Sequence, residues 1–117
     1  MLKGQELFIG AKREDGFGHL ILFGMGGIFL EVFKDVQALL TPVFVDEIEY
    51  YVSKLKSFPV MKGIRGQKGI ELIKYYQIIK RLGQLVEIAP EIVEMDLNPL
   101  IASSKSIMTV DARIRID

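Results

Sequence analysis

The sequence predicts an α+β domain, an antiparallel sheet covered by two helices. Three observations carry that prediction. Through residue 41, apolar runs recur about ten residues apart, gaps too short for the crossover helices that parallel strands require. Between residues 46 and 89 the apolar period becomes helical, and after residue 93 it returns to the alternation of strands. A chain of 117 residues has room for one domain that buries roughly two thirds of its unfolded surface, and no room for a second. With 50% hydrophobic and 26% charged residues, the composition supports a packed core rather than disorder.

Glu6–Glu14 and His19–Phe23 read as the first two strands, joined at Asp15-Gly16, a dipeptide that supplies positive φ to a tight hairpin turn. A third strand is expected over Ile28–Phe33, after the segment Gly24-Met25-Gly26-Gly27. A fourth is expected over Val36–Thr41, closed by Pro42. The four together predict a meander.

Asp46 is the expected N-cap of the first helix, whose stripe Ile48, Tyr51, Val52 and Leu55 stops before Phe58-Pro59. A longer helix is expected from about Ile70, with the stripe Leu72, Tyr75, Tyr76, Ile79, Leu82 and Val86. It ends at Ala89-Pro90, because the residue before proline resists the helical region, and Gly83 weakens it slightly. Between the helices, residues 62–69 hold three glycines among charges, which predicts a mobile loop or a close backbone approach.

In Val93–Asn98 the strand alternation sets Glu94, Asp96 and Asn98 on one face; in Met108–Ile114 it groups Thr109, Asp111 and Arg113. The connection through Ser103–Ser106 is short and polar, so the two strands are expected to be antiparallel neighbours. Two registers put both polar sets on a common face. One sets Asp96 opposite Asp111; the other sets Asn98 opposite Asp111 and Asp96 opposite Arg113.

Charge and composition exclude several classes of function. Fifteen Lys and Arg balance fifteen Asp and Glu, which rules out a polybasic nucleic-acid or membrane-surface binder. The absence of cysteine excludes disulfides, thiolate metal sites and a cysteine nucleophile, and a single histidine excludes a multi-histidine metal centre. No apolar run approaches the about 20 residues that span a bilayer, and no leader pattern follows Met1, so a cytoplasmic protein is expected.

Both registers gather Asp96, Asn98 and Asp111. Like charges on neighbouring strands destabilise a sheet unless something offsets them, and a hard cation does so. Magnesium takes one or two carboxylates from a protein and fills its other positions with water and phosphate oxygens, so two carboxylates and an amide suit it. The plainer reading is the solvated face of a half-exposed sheet. Glu6 and Lys12 share a face of the first strand and suit a polar ligand, or form an ordinary exposed pair. The glycines at 24–27 could bring backbone N–H groups to phosphate, although they lack a following Lys-Ser or Lys-Thr and no helix is expected after them. His19 is expected to be a surface or core residue rather than a base. Arg65, between glycines, is a solvated loop arginine or a bidentate grip for an anion.

Gly4-Gln5-Glu6 leads into Leu7–Gly10, Gly16-Phe17-Gly18 precedes Phe23–Val32, and Lys34-Asp35-Val36 follows. Later come Gly63-Ile64-Arg65-Gly66, Glu94–Leu100 and Val110-Asp111-Ala112-Arg113. In this order the segments resemble the C-terminal half of the ATP-grasp (beta) subunit of ADP-forming acyl-CoA synthetases, the acetate–CoA relatives of succinate–CoA ligase. The resemblance covers essentially the whole chain. It implies the C-terminal subdomain of an ATP-grasp fold, with ATP/ADP and Mg2+ as cofactors. By this resemblance Asn98 and Asp111 match magnesium ligands, Asp96 matches a catalytic acidic residue near the phosphates, and Glu6 matches a nucleotide-binding glutamate. The implied reaction interconverts acid, CoA and ATP with acyl-CoA, ADP and phosphate, through an acyl phosphate and a phosphohistidine.

The chain departs from that family twice. Nothing in it matches the N-terminal half that carries a nucleotide-binding lysine and a phosphorylated histidine, and His19 stands where the family commonly has proline. The expectation is therefore residues 1–117 as one folding unit, a fragment inactive alone, whose partners are the CoA-binding and ligase domains or subunit of the same enzyme. A homo-oligomer is compatible with it, and nucleic acid and membrane are not expected as partners. Two other outputs are compatible with the same residues. One is the ATP-grasp portion of a protein lysine acetyltransferase, the other a non-catalytic assembly module.

Overall fold

The structure, a computed structural model, describes residues 4–63, 68–109 and 111–116. Arg65 lies outside these residues. The chain opens with the expected hairpin, β1 (Gln5–Glu14) against β2 (Gly18–Met25), closed by the Phe17 N–H donating to Glu14 O at 2.9 Å. Gly16 at the turn has φ 82°, the left-handed backbone that makes glycine the suitable residue there.

The expected third strand is not a strand. Residues 28–31 form a single helical turn, α1 (Ile28–Glu31), and the next strand, β3 (Val36–Leu40), pairs directly with β2. The cause lies in the connection. Gly24 pairs with Val36, so everything between them must reverse the chain, and Gly27 starts that reversal at φ 61°. A six-residue run that is apolar apart from Glu31 is legible as strand or helix from composition alone; here the geometry of the connection decides.

The first covering helix is α2 (Val45–Ser53), and its N-cap is Phe44 rather than Asp46. Asp46 lies inside the first turn, where a negative charge suits the unpaired N–H groups. The helix ends at Ser53, so Leu55 of the expected stripe lies in the turn that follows, and Pro59 sits in the first turn of a short helix, α3 (Phe58–Lys62), which the sequence reading missed; proline fits the first turn of a helix because its missing N–H has no partner to lose there. The second covering helix is α4 (Leu72–Ile88), which ends before Pro90 as expected. The close backbone approach expected in the glycine-rich linker occurs at Gly69, where a Cβ would collide with the Lys62 carbonyl group.

The last strands are β4 (Ile92–Ala102), β5 (Ile107–Thr109) and β6 (Ala112–Ile116). The expected single strand over 108–114 is thus two, broken at Asp111, and both pieces pair with β4. The sheet runs β3-β2-β1-β4-β5, with β6 also on β4. Leu7, Ile9, Ile21 and Phe23 of the sheet are fully buried against Val52, Tyr75, Ile79 and Val86 of the helices. The helices thus cover one face of the sheet, and the other face is left for the polar residues. Among the described residues no helix is long and apolar enough to cross a membrane.

Candidate functional site

The open face of the sheet holds a groove of about 540 Å³ lined by Phe8, Gly10 and Lys12 of β1, Leu22 of β2, Glu94 and Asp96 of β4, and Arg113 and Arg115 of β6. Strand alternation explains the set. Gly10 is paired with Asp96 and Lys12 with Glu94, while Asp96 is paired with Arg113 and Glu94 with Arg115. Of the two registers open from sequence, the structure has the one with Asp96 opposite Arg113. In it Asn98 meets Asp111, the Asn98 N–H donating to the Asp111 carbonyl at 3.3 Å.

At one end of this face β4 carries a bulge. Ile9 pairs with Leu97 and Leu7 with Leu100, so Phe8 alone faces both Asn98 and Pro99. A bulge re-aims a side chain and tolerates a residue without an N–H, which accounts for Pro99 inside a strand. It also shifts the alternation, so that Leu100 and Ala102 are buried although Asp96 and Asn98 face outward.

Asn98 and Glu6 converge there on the glycine turn. A Cβ placed on Gly26 would stand 3.4 Å from Asn98 Oδ1 and 3.7 Å from Glu6 Cβ, and one on Gly27 would stand 3.4 Å from Glu6 Oε2. The Gly26 N–H donates to Glu6 O at 2.8 Å, the last rung before the chain turns away. Side chains at 26 or 27 would fill the space in front of both polar groups. The sequence-predicted residues are therefore placed as follows. Glu6 and Asn98 flank one turn, Asp111 lies across from Asn98, and Asp96 sits half-buried one alternation further along the groove.

The donor set is carboxylate and amide oxygen, which suits a hard cation such as Mg2+. Among the described residues no three carboxylate or imidazole side chains converge as a metal cage. The Asp111 carboxylate has two protein neighbours. Its Oδ1 accepts the Ala112 N–H at 2.9 Å and its Oδ2 lies 3.8 Å from Arg113 Nε, while Arg115 lies 3.5 Å from Glu94. All four charged side chains are more than half exposed, and such pairs are worth about 0–1 kcal/mol. A bound cation can displace them.

Other residues singled out from sequence lie elsewhere. His19 is buried at the far end of the hairpin, where its Nε2–H donates to Ile92 O at 2.7 Å and its backbone N–H donates to Thr41 Oγ1 at 3.1 Å; it ties β2 to β4. Gly24 is held by Tyr75 of α4, whose hydroxyl accepts the Gly24 N–H at 3.0 Å and faces Gly24 O and Phe8 O at 3.1 and 3.0 Å. Burial pushes the Tyr75 hydroxyl well above the usual tyrosine range, against a smaller opposing effect of its Gly24 hydrogen bond.

A model of the ATP-grasp domain matches residues 1–116. The chain belongs to the ATP-grasp family. This ATP-grasp chain is 43% identical over 102 residues to the 4-hydroxybutyrate–CoA ligase (ADP-forming) of Nitrosopumilus maritimus, covering 87% of itself and 15% of that protein. It is 36% identical over 111 residues to acetate–CoA ligase (ADP-forming) I subunit beta of Pyrococcus furiosus, covering 95% of itself and 48% of the subunit. Acetyl-coenzyme A synthetase 1 of Ca. Korarchaeum cryptofilum, solved with coenzyme A and Mg-AMPPCP, superposes with a TM-score of 0.94 at 36% identity, over 100% of this chain and 55% of that one. The ATP-grasp chain thus spans about half the length of the Pyrococcus subunit and the Korarchaeum chain.

Sequence reasoning missed two parts of the ATP-grasp groove. Arg115 extends the alternation of Asp111 and Arg113 by one step, and reading that alternation beyond residue 114 would have found it. The glycine segment itself was visible in the sequence, but the approach of Gly26 and Gly27 to Glu6 and Asn98 was not, because it depends on strands far apart in the chain.

Proposed function

We propose that this chain forms the Mg2+- and phosphate-facing half of the nucleotide cleft in an ADP-forming acid–CoA ligase, which interconverts acid, CoA and ATP with acyl-CoA, ADP and phosphate. The convergence of Glu6 and Asn98 on the Gly26-Gly27 turn, with Asp111 opposite Asn98, carries this reading. Relatives named ADP-forming CoA ligases, and a similar structure solved with Mg-AMPPCP, support it.

In this reading Asn98 and Asp111 hold Mg2+, and Asp96 stands beside the phosphates. Glu6 contacts the nucleotide. A bound Mg2+ supplies neutralisation of phosphate charge and in-line alignment of the transfer. Lys12, Arg113 and Arg115 against Glu94 and Asp96 leave the groove with an excess of one positive charge, which suits a polyphosphate. The turn beside the site exposes Ile28, Val32 and Phe33 at 58%, 64% and 54%, and the groove is open on one side; both features suit closure by another part of the enzyme.

One observation favours a non-catalytic assembly module: the pairs Arg113–Asp111 and Arg115–Glu94 occupy the polar face. Isothermal titration of Mg–ATP into this chain and into Asp111→Ala separates the two readings. Weak binding that is lost in the variant and on chelation of Mg2+ is expected. Absence of binding to the unaltered chain favours the module, and tight binding indifferent to the substitution removes the metal assignment.

A further inference from the structure

We propose that Tyr75 is a positioning residue for this site, acting from the opposite side of the sheet by fixing the two strand ends that carry Glu6 and the Gly26-Gly27 turn. The inference rests on the nucleotide-cleft reading above. Phe8 and Gly24 are directly paired across β1 and β2, two residues after Glu6 on one arm and two residues before Gly26 on the other. The Tyr75 hydroxyl bridges that pair: it takes the Gly24 N–H at 3.0 Å and offers its single proton to Phe8 O at 3.0 Å and Gly24 O at 3.1 Å. Beyond this level the ladder continues only through Leu7 with Met25 and the Gly26 N–H to Glu6 O, and Gly27 then departs at φ 61°.

Packing does not account for the hydroxyl. Tyr75 is fully buried among apolar side chains, where phenylalanine would fill the same space without the desolvation cost of a polar group. What the hydroxyl adds is a common anchor for two strands at the point where they diverge. Gly24 also lies tight against the next element, since a Cβ there would stand 2.6 Å from Asp35 O. The strand end is thus held by Tyr75 on one side and by the start of β3 on the other. Because a Cβ on Gly26 would stand only 3.4 Å from Asn98 Oδ1, a change in the tilt of this strand end changes the space in front of that side chain.

The test compares Tyr75→Phe with Ile79→Val, a change one turn further along α4 that loosens the same core without touching the sheet backbone. Mg–ATP is titrated into each chain with ¹⁵N amide detection. Tyr75→Phe is expected to weaken Mg–ATP by about fivefold, the loss of roughly one hydrogen bond's positioning, and to move the Gly26 and Gly27 resonances before ligand is added. Ile79→Val is expected to leave both within twofold and in place. Equal weakening by the two variants reduces Tyr75 to core packing and overturns the proposal, as does a Tyr75→Phe chain with unchanged affinity and turn resonances. If no chain binds Mg–ATP, the nucleotide reading fails, and the turn resonances alone decide for or against Tyr75. If Tyr75→Phe does not fold, hydrogen exchange on the unaltered chain decides. Gly24 and Gly26 amides protected like those of Ile9 and Ile21 support the anchor, and exchange at loop rates overturns it.

Discussion

At the scale of single residues, chemistry and position separate clearly. His19 is the chain's only histidine, yet it is 3% exposed and its Nε2–H is committed to Ile92 O at 2.7 Å, so it works as a pin between strands. Replacing it with alanine leaves a buried carbonyl without a partner. A loss of about 2 kcal/mol is expected in urea unfolding, with Mg–ATP affinity unchanged; a lost affinity with intact stability would contradict the structural role. Asp35 is likewise buried, and its carboxylate accepts the Lys56 and Ser57 N–H groups at 2.7 and 2.8 Å. Glu6, Asn98 and Asp111, by contrast, are exposed. The polar residues left facing solvent are the ones available for a ligand, and no property of an isolated histidine or aspartate in the sequence reveals which kind it is.

At the scale of elements, period was a sound guide wherever an element was long. The hairpin, β3, α2, α4 and β4 were legible because each repeats its pattern over several residues. The failures are short. Ile28–Glu31 reads as strand but must reverse the chain between two paired strands, and Pro59 reads as a terminator but also starts α3. Gly83 shows how packing overrides propensity. Its mid-helix position suggests that alanine would stabilise α4 by about 1 kcal/mol, yet a Cβ there would stand 2.5 Å from Val43 Cγ2. Overpacking costs about 1–3 kcal/mol, so Gly83→Ala is expected to lower stability by about 1 kcal/mol in thermal or urea unfolding. A stabilised variant would show that Val43 moves aside freely.

At the scale of the whole molecule, the core and the groove occupy opposite faces of one sheet, which lets the groove change without unfolding the chain. β6 illustrates this: every residue of it is exposed, while Arg113 and Arg115 line the groove. Ending the chain after Asp111 is expected to preserve a cooperative melt with a midpoint lowered by about 5 °C or less, and to weaken Mg–ATP binding. Loss of the cooperative transition would mean that β6 belongs to the folding core. The sequence by itself determined the α+β class, the two covering helices and the gathering of Asp96, Asn98 and Asp111, because alternation and helical period are local and survive without a partner. Only the tertiary structure decided the strand register, the bulge at Asn98-Pro99 that turns Leu100 and Ala102 inward, and the meeting of Glu6 with Asn98 across Gly26-Gly27. The bulge and the Glu6–Asn98 meeting depend on segments about 90 residues apart being pressed together by the core, and no local pattern encodes how closely two distant backbones approach.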